Sequence, residues 1–258
     1  MADETKGRQG GVQAADTVLG VLEAVALAEE PLGVTQIATR LGLAKGATFR
    51  HLRTLLDRGY LLQDPATSRF QLGPKVALLG RLAPAGTDLA AIVQPALREA
   101  RDASGLSVVI STPTPFGAFV LATLPGTNAI DIGVRVGSSL PAHASAQGKV
   151  HLAFGPPAAL ERLLAEPRPH LTPHTITDAR ALSTEIARVR AQGYATAPEE
   201  ALLGVNALAA PVRDGQGRLA GSVALVGSIQ HITREPEEKL LRIVRDLGQR
   251  ATRLVAAS

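Results

Sequence analysis

The sequence contains no cysteine and no apolar run of membrane length, and both absences narrow what the protein can be. Without cysteine there is no disulfide framework, no thiolate metal site and no thiol nucleophile, so six histidines and 23 carboxylates must carry any metal or acid–base chemistry. The opening stretch MADETKGRQGG lacks the apolar core of a signal peptide, and no segment supplies the roughly 18–20 uncharged residues that a membrane helix needs. We therefore expect a cytoplasmic protein with no membrane partner.

The chain is long and apolar enough for two domains, since it has 258 residues and 45% of them are hydrophobic. Its net charge of +4 is too small to indicate a polyanionic partner by itself. The distribution of the charge is more informative. A single carboxylate, Asp57, lies within a short stretch that contains the basic residues Arg40, Lys45, Arg50, Arg53 and Arg58. This stretch carries a surplus as large as that of the whole chain.

The first 73 residues show the pattern of a winged helix-turn-helix domain. After a polar tail at 1–13, apolar residues recur at helical spacing over 14–27, and a second helix is predicted from Thr35, as its N-cap, to Gly42. A third helix is predicted over 44–58. Two short strands, 60–62 and 69–72, flank a turn-rich segment and predict a hairpin. We assign 14–73 to this domain.

The remainder of the chain predicts a linker at 74–88, with an amphipathic helix and a breaker cluster at 83–87, and then a larger α+β domain at 89–258. Helices are predicted at 89–104, 145–154, 158–165, 178–192 and 237–255, and strands at 108–111, 118–124, 130–136, 207–212 and 219–226. Because helices and strands do not alternate strictly, an antiparallel-rich α+β domain is favoured over a doubly wound sheet.

The third helix has one apolar and one basic side. Its apolar side, with Phe49, Leu52, Leu55 and Leu56, is expected to pack inward. On the other side, arginine can bond two acceptors of a guanine and small residues permit close approach to a groove, while basic side chains and a helix amino terminus can meet phosphates. The predicted DNA-contacting residues are Thr35, Gln36, Lys45, Gly46, Ala47, Arg50, His51, Thr54 and Arg69. The alternative is a solvated basic helix face.

Several segments together resemble the IclR family of bacterial transcription regulators. They are residues 17–73, PAHASAQGKVHLAF at 141–154, LTPHTITD at 171–178, Gly193-Tyr194-Ala195 with Glu199-Glu200, and AAPVRDGQG at 209–217. The resemblance implies a GAF-like effector-binding domain, a homodimer that often pairs into a dimer of dimers, double-stranded operator DNA as a partner, and control by a small metabolite. The sequence KGATFR at 45–50 departs from the KSTVHR that is usual in the family, so an operator sequence cannot be transferred.

The resemblance also implies an effector cavity between the central sheet and the helix that opens in the 141–154 motif. The residues implied to line or assist it are His143, Ser145, Ala146, Gln147, Ala197, Val205, Ala207, Ala224 and Val226. Family members that bind small hydrophilic acids tend to have an acidic residue, a cysteine and two serines where this chain has Ala197, Ala207, Ala224 and Val226. Apolar walls with free amides at a helix start suit an aromatic or similarly apolar carboxylate. The alternative is that these residues are core and the cavity is absent.

Other motifs do not indicate catalysis, a cofactor or a metal. Ser145 beside His143 lacks a nucleophile elbow, and Gly148-Lys149 lacks the first glycine and the hydroxyl of a phosphate loop. Prolines disfavour the helix that would bring His170 and His174 to one zinc ion, and Glu199-Glu200 is interpreted as a solvated or capping pair.

Two classes of function follow. The first is a ligand-responsive DNA-binding regulator, a repressor of a catabolic operon that senses a small carboxylic acid. The second is a hydrolase-like enzyme tethered to a DNA-binding module.

Overall fold

The computed structural model describes residues 12–82, 88–115, 117–129 and 131–258, which form two compact units on either side of the 83–87 segment. The predicted breaker cluster lies outside the described residues, as does the predicted tail apart from Val12 and Gln13.

The first unit contains four helices and a hairpin among its described residues. In chain order these are α1 (Gln13–Ala26), α2 (Val34–Leu41), α3 (Lys45–Asp57), β1 (Leu61–Gln63), β2 (Phe70–Leu72) and α4 (Pro74–Leu82). The strands β1 and β2 pair antiparallel, with Leu61 opposite Leu72. The order of helices, turn and hairpin is that of a winged helix-turn-helix domain, as the sequence predicts.

A small apolar core holds α1, α2, α3 and the hairpin together. Val21, Ile37, Leu52, Leu61 and Phe70 are all almost completely buried in it. Phe70 also pairs through its backbone with Leu32, which fastens the hairpin to the segment between α1 and α2. Because α3 contributes only one side to this core, its opposite side faces solvent.

Two details of the predicted helices are wrong. Gly33, rather than Thr35, is the N-cap of α2, because the Gln36 side chain accepts a hydrogen bond from the Gly33 N–H at 2.9 Å. Phe49 is 53% exposed, whereas Thr48 is completely buried. The Thr48 hydroxyl donates to the Ala44 carbonyl at 3.2 Å, so a short side chain with a satisfied hydroxyl takes the inward position beside Leu52.

The second unit is a six-stranded sheet with helices on both faces. Its elements are α5 (Leu89–Ser104), β3 (Ser107–Thr114), β4 (Gly117–Leu124), β5 (Ser139–Pro141), α6 (Ala146–Phe154), α7 (Pro157–Ala165), α8 (Ala179–Gln192), β6 (Ala195–Thr196), β7 (Val205–Arg213), β8 (Leu219–Ser228) and α9 (Glu238–Ala256). The strand order is β5-β4-β3-β8-β7-β6, and each neighbouring pair is antiparallel. The predicted α+β class is confirmed.

The predicted strand at 130–136 is wrong over the described residues 131–136, which contain no strand. Hydrogen bonds from side chains, rather than the backbone hydrogen bonds of a strand pair, hold this segment. Asp131 accepts from the Ser107 hydroxyl and the Gly126 N–H, and the Thr123 hydroxyl donates to the Val134 carbonyl. The strand that does pair with β4 is β5, which follows this segment.

Successive side chains along each strand point to opposite faces of the sheet, so each face has its own apolar core. Val108, Ile110, Leu208 and Leu225 face one layer, which packs against α5 and α9. Their neighbours Val109, Ala209 and Ala224 face the other layer, with α6 and α8. The helix α6, which carries the 141–154 motif, therefore lies directly on the second face of the sheet.

Candidate functional site

The solvent face of α3 presents unpaired basic side chains. Of the predicted DNA-contacting residues on this helix, Lys45, Gly46, Arg50 and Thr54 are exposed, and Ala47 and His51 are half-buried. Within the described part of the chain, neither the Lys45 ammonium nor the Arg50 guanidinium has an ion-pair or hydrogen-bond partner.

The positive charge of the neighbouring Arg53 on α3 is neutralised. Arg53 forms an ion pair with Asp57, at 3.0 Å between Nε and Oδ1. The Thr54 hydroxyl donates to the Arg50 carbonyl at 3.1 Å. Lys45 and Arg50, in the first two turns of α3, therefore carry free cationic groups, and these donors could meet base edges or phosphates.

The other predicted DNA-contacting residues lie on α2 and the hairpin of the same unit. Thr35 and Gln36 are exposed in the first turn of α2, but the Gln36 amide oxygen is bonded to Gly33. Arg69 is half-buried, and its Nη1 donates to the Pro31 carbonyl at 2.9 Å. This bond leaves the remaining guanidinium donors of Arg69 for other partners.

The start of α6 is built by Ser145 and His143. Ser145 is the N-cap: its hydroxyl accepts from the Gly148 N–H at 3.1 Å and donates to the Pro141 carbonyl at 2.7 Å. The Nε2 atom of His143 lies 3.0 Å from the Pro169 carbonyl, and burial lowers the pKa of this imidazole. Both side chains are thus engaged in the fold, and they form no hydrogen bond with each other of the kind a nucleophile and its base require.

The residues implied to line an effector cavity meet on the second face of the sheet. Ala146, Ala197, Ala224 and Val226 belong to one buried apolar cluster, and the half-buried Val205 and Ala207 pack against it. Gln147 is 1% exposed. These apolar residues are therefore packed on the sheet face that contacts α6.

Three N–H donors at the first turn of α6 have no hydrogen-bond partner among the described residues. The Gln147 side-chain nitrogen is buried without a hydrogen-bond partner, and the Ala146 and Gln147 backbone N–H groups form no hydrogen bond within the described residues. Unsatisfied N–H groups at a helix amino terminus favour an anion, and a buried amide donor adds a further point of attachment. The arrangement is chemically suited to a carboxylate with an apolar body.

The interpretation of Glu199-Glu200 as a solvated or capping pair is wrong for Glu200. Lys149, in the middle of α6, is completely buried, and its Nζ atom lies 2.5 Å from Glu200 Oε1 and 3.3 Å from Glu185 Oε1. Glu199 does stabilise a turn, since its carboxylate accepts from the Gly204 N–H. This ion pair was not predicted from the sequence; the available signal was that Lys149 is the single charged residue in the α6 segment AQGKVHLAF.

Burial and charge act in opposite directions on the two glutamates of this ion-pair cluster. Burial raises the pKa of Glu200, and the Lys149 charge only partly offsets it. Burial also acts to raise the pKa of Glu185, but hydrogen bonds and charge from Arg188 and Lys149 outweigh it, so that pKa is lowered. Lys149 is therefore shared between two carboxylates with different environments.

Metal ligands are not clustered in the described ranges, where no group of three or more His, Cys, Asp or Glu side chains could hold a metal ion. None of the helices that the structure describes is long and apolar enough to cross a membrane.

Each of the two units matches a domain of a known protein family. Residues 14–65 match the IclR helix-turn-helix domain, and residues 83–253 match the C-terminal domain of the bacterial transcriptional regulator IclR. The chain belongs to the IclR family. Its fold and domain order are those of an IclR-type transcriptional regulator, and its relatives are regulators, so we assign it as a regulator and not an enzyme.

Full-length relatives share this arrangement. The chain is 31% identical to the glycerol operon regulatory protein of Streptomyces griseus over 248 residues, which are 95% of this chain and 97% of the relative. It is 29% identical to the DNA-binding transcriptional repressor YiaJ of Escherichia coli, over 96% of this chain and 89% of that protein.

A solved structure shows the same fold. The IclR homologue from Microbacterium hydrocarbonoxydans, crystallised in complex with 4-hydroxybenzoate, superposes with a TM-score of 0.76 at 22% identity, covering 95% of this chain and 100% of that one.

Proposed function

We propose that this IclR-family regulator is a repressor of a catabolic operon and that it senses an aromatic or similarly apolar carboxylic acid. The observation that carries the proposal is the first turn of α6, where the buried Gln147 amide nitrogen and two free backbone N–H groups lie beside an apolar cluster. A carboxylate would satisfy these donors, and an aromatic ring would cover the walls at roughly 25 cal/mol per Å² of apolar area.

The walls argue against a small hydrophilic acid. Ala197, Ala224 and Val226 offer no side-chain hydrogen bond, so an acid of two or three carbons would be held by the amides alone. Two relatives support the proposal: the Microbacterium homologue was crystallised with 4-hydroxybenzoate, and YiaJ is a repressor.

The same proposal assigns a role to each part of the chain. Residues 14–73 bind double-stranded operator DNA, 74–88 form the linker and 89–258 bind the effector, while 1–13 are a tail. The protein acts in the cytoplasm as a homodimer or a dimer of dimers. Direct contacts to DNA come from the α3 face, with Lys45, Gly46, Ala47, Arg50, His51 and Thr54, and from Thr35, Gln36 and Arg69.

Binding to the DNA upstream of the protein's own gene tests the DNA-reading role. Loss of one guanidinium that bonds a base costs about 1–3 kcal/mol, so Arg50→Ala should weaken specific binding about 5- to 150-fold in fluorescence anisotropy. The matched control is Arg180→Ala, which removes an exposed arginine from α8. Unchanged affinity in Arg50→Ala would remove α3 from the DNA interface.

Calorimetric titration tests the effector class. Benzoate and 4-hydroxybenzoate should bind more tightly than glyoxylate or pyruvate, and Gln147→Leu should weaken benzoate binding several-fold because the buried amide donor is lost. Gln249→Leu, at an exposed glutamine of α9, should leave binding unchanged. Tighter binding of glyoxylate than of benzoate would contradict the proposed effector class. In an in vitro transcription assay the protein should reduce transcription, and the acid should restore it.

A further inference from the structure

The peptide group that joins Thr196 to Ala197 is held on both sides by buried polar side chains. Its carbonyl oxygen accepts a hydrogen bond from Lys149 Nζ at 3.0 Å, and its N–H donates to Asn206 Oδ1 at 3.3 Å. Lys149 is completely buried, and Asn206 is 1% exposed. Because a peptide group is planar and rigid, these two bonds together fix the position of the Ala197 backbone. Lys149 and Asn206 thus form a clamp on this peptide.

The clamp acts where the regular strand pairing ends. The pairing of β6 with β7 ends at Thr196, opposite Leu208, and beyond it the Asn206 side chain serves as the acceptor for the Ala197 N–H. Oδ1 of Asn206 also accepts from the Ala207 N–H at 2.7 Å, and Nδ2 donates to two backbone carbonyls of the segment before α9, at 3.0 Å each. Both amide hydrogens and both acceptor positions are therefore used, which fixes the orientation of this side chain.

Lys149 supplies the other half of the clamp from α6. It lies three residues after Ala146, which is about 4.5 Å along the helix axis. Its Nζ atom also lies 2.5 Å from Oε1 of Glu200, three residues after Ala197. One buried ammonium group therefore ties the first half of α6 to the segment that carries Ala197.

The backbone held by the clamp belongs to residues of the candidate effector site. Ala146 and Ala197 are members of one buried apolar cluster, on the sheet face that contacts α6. The two neighbours of Asn206 in β7, Val205 and Ala207, pack against the same cluster. All four are among the residues implied to form the effector site. The clamp thus holds site residues in place without being part of the set that lines the site.

From this geometry we propose that Lys149 and Asn206 are positioning residues of the effector site, which fix the Thr196–Ala197 peptide and thereby set which acids the site accepts. This inference rests on the proposed function, which assigns Ala197 to that site. A wall that is ordered before binding costs no ordering entropy when a fitting ligand arrives, and it rejects a ligand of the wrong length. A wall that is free to move accepts acids of different length with similar affinity.

Selectivity between two acids tests the proposal. Phenylacetate is one methylene group longer than benzoate, a difference that a fixed apolar site distinguishes by about tenfold or more. In Lys149→Met and in Asn206→Leu, the ratio of the two affinities in calorimetry should move at least fivefold toward equality. A side chain that only stabilised the fold would change the folded fraction, which reduces both affinities by the same factor and leaves the ratio unchanged. Equal affinities in the wild type, or an unchanged ratio in both variants, would overturn the proposal.

Two controls match these variants. Glu185→Gln alters another partner of Lys149, on α8, and should retain the wild-type ratio because Glu185 does not touch the clamped peptide. Asn128→Leu replaces the other asparagine of the chain, at an exposed position, and should also retain it. Circular dichroism checks that each variant is folded. If Lys149→Met is not, Lys149→Met with Glu200→Gln replaces it, since the uncompensated carboxylate is then removed. The same change of ratio in Glu185→Gln would overturn the proposal.

Hydrogen exchange tests the clamp without any effector. In mass spectrometry of the full-length protein, residues 195–201 should exchange at least tenfold faster in Lys149→Met and Asn206→Leu than in the wild type. Residues 96–104 of α5 report global opening and should change less. Equal acceleration in both segments would overturn the proposal. Failure of benzoate to bind the wild type would contradict the proposed function; local acceleration at 195–201 would then still support the clamp, and its absence would overturn it.

Discussion

At Lys149 an ammonium group is held inside the protein with no exposed surface. It is tolerated because its donors reach Glu200, Glu185 and the Thr196 carbonyl. Such a pair gains little over a well-packed apolar pair, because both charges lose their hydration, but removing one partner leaves the other charge buried and unpaired. The Glu200 Oε2 atom already lacks a hydrogen-bond partner among the described residues, so this carboxylate depends on Lys149.

Lys149→Met should therefore be strongly destabilising. The expected loss is about 3–5 kcal/mol of unfolding free energy, measured by urea denaturation at pH 7. The double variant Lys149→Met with Glu200→Gln should recover part of this loss, because the uncompensated carboxylate is gone. A double variant as unstable as the sum of the two single variants would show that the two side chains do not interact energetically.

His151 makes stability depend on pH in a definite direction. Its pKa in the folded protein, about 4, lies below the ordinary 6.5, so between these values the unfolded chain binds more protons than the folded one. The contribution of this residue is present above pH 6.5 and is lost as the pH falls toward 4. A pKa difference of this size corresponds to about 3 kcal/mol of unfolding free energy, lost in full once the pH is below 4.

Urea denaturation at a series of pH values between 4 and 7 measures this dependence. His151→Gln should reduce the slope of unfolding free energy against pH relative to the wild type. His170→Gln, at an exposed histidine, should retain the wild-type slope. Parallel curves for the wild type and His151→Gln would show that the buried imidazole does not carry the effect.

At the scale of the helical elements, two glycines near the turn between α2 and α3 have opposite effects on stability. Gly42 ends α2 with φ of 65°, a conformation that costs a side-chain-bearing residue about 1 kcal/mol or more. Gly46 lies in the first turn of α3, and a Cβ atom there would meet no atom within 4 Å.

Gly46→Ala should therefore stabilise the protein by up to about 1 kcal/mol, and Gly42→Ala should destabilise it by a similar amount. The thermal unfolding midpoints of the two variants, followed at a helix-sensitive wavelength, should fall on opposite sides of the wild type. The same direction of change in both would contradict this account of the turn.

The sequence predicts helices better than it predicts which side chain turns inward. Periodicity located α5 from Leu89 to Ser104, since apolar residues at helical spacing fix both type and length. It placed Phe49 inside, because size and hydrophobicity favour burial, and could not predict that Thr48 would satisfy its own hydroxyl within the helix. The three-residue β5 is too short to show any period.

For the candidate sites, prediction from the sequence is limited by contacts between residues that lie far apart in the chain. A lysine and a glutamate 51 positions apart in the sequence meet at one buried point, and no local pattern encodes that distance. The same holds for His151 and Ser222, which lie 71 positions apart. The motif at 141–154 identified the start of α6, but long-range packing decides which of its polar atoms remain unpaired.

At the scale of the whole molecule, one chain carries a basic helix in its first unit and a candidate acid site in its second. If a bound acid changes the affinity for operator DNA, thermodynamic linkage requires the DNA to change the affinity for the acid by the same factor. A regulator that is released from DNA by its effector must therefore bind that effector more weakly when DNA is present.

Reciprocity between the two ligands is therefore testable with the full-length protein. Saturating benzoate should weaken operator binding in fluorescence anisotropy, by a factor in the range of about 5–150 that is typical of such coupling. Saturating operator DNA should weaken benzoate binding in calorimetry by the same factor at equal salt, since DNA affinity itself falls steeply with ionic strength. Arg50→Ala should bind benzoate normally and lose the effect of DNA on it. Benzoate affinity that is identical with and without bound operator would mean that the two sites are not coupled, and the acid would then not be the effector.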